Sequence, residues 1–305
     1  MARQYCGALG KRANFQVAFS VHAATDAGSC PLDWQLYLPK EWTDEPDRCH
    51  RAGAPDEAVA HQEKWRLVLG MLDTLAGWEL EAPVVVADSG YGVSTPFRAS
   101  LEERGLSYVL TLTGKEVAHT ERAEPHRPAS CGLGPPPLPR YRTPPRAVSA
   151  LAAQTAPEQF SEVTWRQGRK GPMTSWFTGL TVRLAGRQSL AVKQTACGGR
   201  SRWDGVLPAR PLLVEWPEGQ DAPTGYWISN LPATTPVADL VRRAKMCWRI
   251  EHDYRELKHG LGPDHFEGRT WCGRHHHVTL VTATGTPPED PADGGRGTDQ
   301  GNRPA

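Results

Sequence analysis

The stretch from Val84 to Leu112 constrains the fold more than any other. It opens with a short β-branched run, Val84–Ala87, which is typical of a strand buried on both faces. A helical segment over 96–104 and a second apolar run over 108–112 follow. A strand, a helix and a strand in this order normally place the two strands parallel and adjacent. The pattern predicts an α/β protein with Asp88 at the carboxyl edge of a parallel sheet, where such proteins place their sites.

The composition excludes several classes of protein. The 305 residues include 35 Lys and Arg against 34 Asp and Glu, so a strongly basic, histone-like DNA binder is excluded, although local basic patches are not. No apolar run approaches the roughly 20 residues of a membrane helix, and the N-terminus has no apolar signal core. The seven cysteines form no Cys-x-x-Cys pair, which argues against a disulfide framework or a four-cysteine zinc site. We expect a soluble, cytoplasmic protein.

The segments before the central unit predict a hairpin and a helix. Alternating apolar and polar residues over 15–21 and 34–38 are typical of half-buried strands, and a polar turn with Gly28 lies between them. Apolar residues at helical spacing predict a helix over 57–77.

The segments after the central unit are irregular at first and then rich in strands. The many prolines of 116–160 predict a loop or partly disordered linker. A helix is expected over 235–260, and the Gly- and Pro-rich segment 285–305 should be a disordered tail. Residues 161–203 carry eight Lys or Arg and one acidic residue. Three further strands are expected, at 176–184, 211–216 and 226–229.

Two carboxylates on different elements could carry chemistry. Glu251 shares one predicted helix face with Tyr254, Arg255 and Lys258, but a carboxylate one turn before a cation is also an ordinary solvated ion pair. Asp88 is equally ambiguous, because a Gly-rich turn after a strand often uses an Asx side chain. If Asp88 and Glu251 converge, they could help to hold divalent ions that act on a phosphodiester.

Three segments resemble the DDE transposases of bacterial insertion sequences: Arg3–Gly7, Val84–Gly92 and Trp248–Lys258. The resemblance extends from Met1 to about Thr282. It implies an α/β fold with a ribonuclease-H-like mixed sheet, flanked by helices and interrupted by a β-rich insertion domain. The implied parts are an N-terminal part of the catalytic core over 1–115, a proline-rich linker and insertion over 116–235, core helices with the Glu motif over 236–284, and the tail over 285–305.

The resemblance also implies the site and its partners. Asp88 and Glu251 would be catalytic carboxylates that bind Mg2+ or Mn2+. The partner would be double-stranded DNA, both transposon ends and target, and paired ends favour a homodimer. The protein would be bacterial, cytoplasmic and associated with the nucleoid. The residues implied to contact DNA are Lys258, Arg255, Arg249 and Tyr254.

The sequence departs from the family pattern at several positions. The family's first catalytic Asp precedes the Arg-Gln-Tyr motif, which here begins two residues after Met1, and Asp26 and Asp33 come too late in the chain to replace it. Cys247 stands where the family usually has Arg. We therefore expect an N-terminally truncated transposase with defective strand cleavage. One alternative is a non-catalytic DNA-binding remnant, which would bind DNA in a salt-sensitive way without magnesium-dependent nicking. Another is a product that never folds.

Overall fold

A computed structural model describes residues 2–6, 10–130, 132, 137–168, 171–186, 204–262, 266 and 268–285. The protein is a mixed α/β structure in which a large sheet is flanked by helices. Its strands are β1 Ala2–Cys6, β2 Lys11–Phe15, β3 Val17–Ala24, β4 Ser29–Tyr37, β5 Val85–Ala87, β6 Tyr108–Thr111, β7 Val117–Thr120, β8 Pro125–His126, β9 Arg140–Tyr141, β10 Arg146–Ala147, β11 Ser161–Gly168, β12 Gly171–Leu184, β13 Arg210–Trp216 and β14 Gly225–Ser229. Its helices are α1 Lys40–Thr43, α2 Pro46–Arg51, α3 Lys64–Gly77, α4 Ser89–Gly92, α5 Thr95–Glu103, α6 Val148–Ala152, α7 Val237–Ala244, α8 Trp248–Leu261 and α9 Trp271–Gly285.

The large sheet has the strand order β10-β7-β12-β13-β14-β6-β5, and β11 pairs with β12 beside this path. Only β5 and β6 are parallel among these described pairs, with Val85 opposite Tyr108. Helix α5 connects these two strands, as the strand-helix-strand pattern predicts. The predicted parallel pair is therefore confirmed, and Asp88 follows directly after β5.

The middle of the sheet is covered on both faces. Along β6, Leu110 packs into a core cluster with Leu72 of α3 and Leu101 of α5. The neighbouring Val109 packs on the opposite face with Leu240 of α7. Along β13 and β14, successive side chains likewise pack alternately into these two clusters on opposite faces of the sheet. Because successive side chains of a strand point to opposite faces, these strands need apolar residues at consecutive positions.

Two hairpins lie outside the large sheet. Strand β1 pairs with β2, and β3 pairs with β4, each in an antiparallel two-stranded sheet. Within the part of the chain that the structure describes, β3 has no strand partner besides β4, and β5 has none besides β6. The predicted hairpin is thus confirmed over β3 and β4, and Val21 of β3 packs against the core cluster that contains Leu110.

Two predicted helices are each interrupted. The helix predicted over 57–77 is a 3-10 turn at Asp56–Ala58 followed by α3, because the backbone of Glu63 is extended (φ −64°, ψ 144°) and starts the helix only at the next residue. The helix predicted over 235–260 is α7 and α8, joined by a 3-10 turn at Lys245–Cys247.

The predicted linker over 116–160 contains more regular structure than its prolines suggest. Strand β7 lies inside this segment and pairs with β12 in the large sheet. Even Pro125 lies in a strand, since the two-residue pairing of β8 with β9 puts little demand on its missing N–H. The strands expected over 176–184, 211–216 and 226–229 are confirmed, and they continue the sheet that contains β6.

Several predicted features fall outside the described residues. These are the tail over 286–305 and the parts of the basic segment at 169–170 and 187–203. Among the described helices, none is both long enough and apolar enough to span a membrane.

Candidate active site

The turn after β5 fixes the position of Asp88. Its side chain caps α4, because Oδ1 accepts a hydrogen bond of 2.9 Å from the backbone N–H of Gly90. Gly92 packs so closely on β6 that a Cβ atom there would lie 1.8 Å from the carbonyl oxygen of Thr111. Only glycine fits this contact. The glycines of the motif therefore hold Asp88 at the end of β5, with its carboxylate exposed.

Glu251 lies in the first turn of α8, and its carboxylate also reaches the surface. The charges of both acids affect the thiol of Cys247, the residue just before this helix. The pKa of its thiol is raised to about 11, chiefly by burial and in smaller part by the negative charges of Asp88 and Glu251. Strand β5, which ends one residue before Asp88, contacts the turn Lys245–Cys247 that leads into α8, although 163 positions separate Asp88 from Glu251 in the sequence (251 − 88). The two acids that the sequence singles out thus lie next to elements that contact each other, and their use in one site stays a prediction.

The hairpin β3–β4 is hydrogen-bonded to two polar side chains of α8, those of Asp253 and Tyr254. The carboxylate of Asp253 accepts hydrogen bonds from His22 Nδ1 at 2.9 Å and from Ser29 Oγ at 2.7 Å. The hydroxyl of Tyr254 lies 2.5 Å from Ser20 Oγ, and that oxygen lies 2.8 Å from His22 Nε2. This network positions the helix that carries Glu251.

His22 is the centre of this network, and its side chain is fully buried. Burial lowers its pKa, while the hydrogen bond and charge of Asp253 offset part of that effect. A neutral ring that donates from Nδ1 to Asp253 accepts at Nε2, which suits the hydroxyl of Ser20. Sequence analysis missed His22, Ser20 and Ser29. The available signal was the alternation of the polar residues Ser20, in the first predicted strand, and His22, directly after it.

The four residues that were predicted to contact DNA have different surroundings. Arg255 and Lys258 are exposed on α8. Arg249 donates from Nη2 to the backbone carbonyl of Asp26 and lies over the ring of Trp248. Tyr254 is partly buried, and its ring packs against the rings of His22 and Trp34 at centroid distances of 5.5 and 5.7 Å. Arg255 and Lys258 are thus the predicted DNA contacts most accessible to a ligand.

Asp88 and Glu251 suit a divalent cation in part. Neither has an ion-pair partner among the described residues, and Mg2+ is commonly held by one or two carboxylates together with water and substrate phosphates. No set of three or more His, Cys, Asp or Glu residues within the described ranges is arranged to hold a metal ion. Asp26 is paired with Arg242, and Asp33 accepts a hydrogen bond from the backbone of Trp34.

Comparison with known proteins identifies the family. A family model described as DDE superfamily endonuclease matches residues 1–172, more than half of the 305-residue chain. The match includes β5 and Asp88 and ends before Glu251. No curated protein matches the sequence. The strand-turn motif around Asp88 and the extent of this match lead to one conclusion: the chain belongs to the DDE superfamily of endonucleases.

Proposed function

We propose that this protein is the transposase of a bacterial insertion sequence, with a ribonuclease-H-like core that acts on the ends of the element. The family acts on DNA, which supports a DNA substrate. The single observation that carries the proposal is the match of a family model described as DDE superfamily endonuclease to residues 1–172, which include Asp88. In this reaction water attacks the phosphodiester at the element end and a 3′-hydroxyl is released. That hydroxyl then attacks a target phosphodiester, so that one P–O bond forms as another breaks.

Asp88 and Glu251 are the residues that would hold a divalent cation. DDE superfamily nucleases generally use such ions, and Mg2+ or Mn2+ when bound would supply charge stabilisation at the phosphodiester. The hydrogen bond from Gly90 fixes one oxygen of Asp88. Arg255 and Lys258 lie on the same helix as Glu251, within two turns of it, and would contact the DNA phosphates.

We further propose that the described part of the chain cuts DNA poorly. The resemblance implies three catalytic carboxylates, of which the sequence analysis assigns two, Asp88 and Glu251. A site with one fewer negative charge and one fewer oxygen ligand holds divalent ions more weakly. This favours the alternative of a DNA-binding remnant over a fully active enzyme. A plasmid assay separates them: salt-sensitive binding with no Mg2+-dependent nicking is expected of the remnant, and efficient nicking of the active enzyme.

Metal-directed backbone cleavage tests the site itself without requiring turnover. Fe2+ would be bound in place of Mg2+, and hydroxyl radicals generated by ascorbate and peroxide would cut the polypeptide near the ion. We expect fragments that end near residues 88 and 251. Asp88→Asn and Glu251→Gln should abolish them, whereas the control Asp239→Asn, an exposed acid on α7, should not. Cleavage elsewhere, or cleavage that survives both site variants, would refute the assignment.

The proposed reaction requires two DNA ends to be held together. This requirement favours a homodimer on DNA. Light scattering on the purified complex with an end-containing duplex tests the stoichiometry, and two protein copies are expected for each pair of ends. One copy per pair would exclude the dimer.

A further inference from the structure

A bulge in β11 directs two consecutive side chains toward the start of α8. The pairing of β11 with β12 shifts between Thr164 and Arg166, so Trp165 has no opposite residue. The ring of Trp165 lies 4.5 Å from Lys245 Nζ, and the guanidinium of Arg166 lies 3.8 Å from the ring centroid of Trp248. Bulges of this kind often occur next to active sites, where they change the direction of a side chain.

A second guanidinium contacts the same indole ring. Arg249 Cζ lies 4.8 Å from the ring centroid of Trp248, so two cations lie within the range of a cation–π interaction with one aromatic side chain. We refer to Arg166, Trp248 and Arg249 as the arginine stack. The two arginines come from distant parts of the chain, and the indole holds both planar groups in place.

The guanidinium groups of the arginine stack are incompletely hydrogen-bonded within the described residues. The Nε atoms of Arg166 and Arg249 are buried and have no hydrogen-bond partner there. Neither guanidinium forms an ion pair in the same part of the chain; Arg249 donates only to a neutral carbonyl, that of Asp26. The neighbouring cations differ, because Lys245 is paired with Glu215 and Arg242 with Asp26. The charge of Arg249 helps to lower the pKa of the Asp26 carboxyl, whereas no described carboxylate forms an ion pair with Arg166, so Arg166 favours an anion as its partner.

The arginine stack lies one helical turn from the proposed metal site. Trp248 is three residues before Glu251 on α8, so the two lie on one side of the helix and about 4.5 Å apart along its axis. Strand β5, which ends one residue before Asp88, contacts the turn Lys245–Cys247 directly before Trp248. An anion on the stack would therefore lie beside the two carboxylates.

We propose that Arg166 and Arg249 form a phosphate clamp for the DNA backbone, adjacent to the phosphodiester that is cleaved. This inference rests on the proposed function and adds Arg166, from the β-rich segment, to the residues that contact DNA. A guanidinium offers planar pairs of donors that match two phosphate oxygens. The contact with Trp248 restricts the side chains before DNA binds, which reduces the ordering cost on binding.

Fluorescence anisotropy with a labelled DNA duplex of arbitrary sequence, in EDTA to prevent cleavage, tests the clamp. Arg166→Ala should weaken binding about tenfold and reduce the slope of log affinity against log salt by about one. Arg146→Ala is the matched control, since Arg146 lies on β10 at the other edge of the large sheet from β5. It removes the same charge and should change affinity by less than about twofold. Equal effects of the two variants would refute the clamp.

A second variant and a chemical measurement keep the proposal testable if Arg166→Ala does not fold. Arg166→Lys keeps the charge but loses the planar stack and the paired donors, so it should retain the salt slope and recover only part of the affinity. In the unaltered protein, DNA should protect Arg166 and Arg249 from phenylglyoxal, with Arg146 modified equally with and without DNA. Unchanged modification of Arg166 in the presence of bound DNA would refute the clamp.

The failure of the clamp and the failure of the metal site give different results. If Fe2+ cuts near residues 88 and 251 while Arg166→Ala binds DNA normally, the clamp is wrong and the metal site stands. If Arg166→Ala weakens binding while no directed cleavage occurs, the clamp stands and the metal site is wrong.

Discussion

Lys245 Nζ lies 2.7 Å from both carboxylate oxygens of Glu215. The pair joins the turn before α8 to β13, a strand in the middle of the large sheet. The ammonium also lies 4.5 to 5.5 Å from the ring centroids of three aromatic residues, Trp165, Phe177 and Trp227. The two charged side chains are only 20% and 10% exposed. This contact therefore fixes the start of the helix that carries Glu251.

Removing one partner of this ion pair should destabilise the protein. In Glu215→Gln, the charge of Lys245 stays among aromatic rings without a counter-ion, and we expect a loss of about 2 to 4 kcal/mol in the free energy of unfolding. Urea denaturation followed by circular dichroism measures it. Glu162→Gln, which alters an exposed carboxylate on neighbouring β11, should change stability by less than about 0.5 kcal/mol. Equal losses in the two variants would contradict the structural role of the pair.

Gly92→Ala should be strongly destabilising. The new methyl group would overlap the backbone of β6 at Thr111, so α4 and Asp88 would have to move. We expect a loss of at least about 3 kcal/mol, measured by thermal or urea unfolding. Gly70→Ala is the control, because Gly70 lies within α3 with no atom near the added Cβ. It should raise stability by up to about 1 kcal/mol. A neutral Gly92→Ala variant would show that this contact is not needed.

Stability should fall as the pH drops below about 6.5. Burial lowers the pKa of His22 and of His119 in the folded state, whereas an unfolded histidine takes up a proton near pH 6.5. The unfolded state therefore binds more protons below that pH, and each residue reduces the free energy of unfolding by at most about 1.4 kcal/mol per pH unit. Above this window both states are neutral at these rings, and the contribution is fully present.

Variants assign this pH dependence to individual residues. His22→Gln and His119→Gln should each reduce the slope of unfolding free energy against pH between about 5 and 6.5, and the double variant should reduce it further. Urea midpoints at several pH values provide the measurement. A slope that is the same in all four proteins would contradict the assignment.

Divalent ions should stabilise the protein through Asp88. At ten times its dissociation constant, a bound ion adds about 1.4 kcal/mol to the unfolding free energy and raises the melting temperature. Asp88→Asn keeps an oxygen to accept the hydrogen bond from Gly90 but loses the charge, so the increase with Mn2+ should disappear. Differential scanning fluorimetry measures the shift, with Asp239→Asn as the control that retains it. An undiminished shift in Asp88→Asn would place the ion elsewhere.

The site was more predictable from the sequence than the network that supports it. Asp88 could be located because strand patterns are local and a βαβ unit fixes the parallel neighbour. Glu251 could be named from its motif, but the contact of β5 with the turn before α8 joins distant parts of the chain and could not be predicted from local sequence. The interaction of His22 with Asp253 joins residues 231 positions apart, and no local pattern encodes it.

For the proline-rich segment, the sequence predicted irregular structure where the protein has a strand. Prolines exclude regular structure only at their own positions and close by, whereas the segment from Val117 to Thr120 is free of them and pairs with β12. A compositional average over 116–160 therefore concealed a strand of the large sheet. The arginine stack was equally hidden, because the bulge at Trp165 that directs Arg166 arises from the pairing of two strands.

The hydrogen bonds of Ser20, His22 and Ser29 to α8 can form only late in the synthesis of the chain. They connect residues 224 to 234 positions apart, so the hairpin β3–β4 leaves the ribosome long before its helical partner is synthesised. During that interval the polar face of the hairpin has only water to bond to. Asp88 and Glu251 cannot meet until translation has passed residue 251. The network that holds α8 can therefore form only after Asp253 and Tyr254 have been synthesised and have left the ribosome.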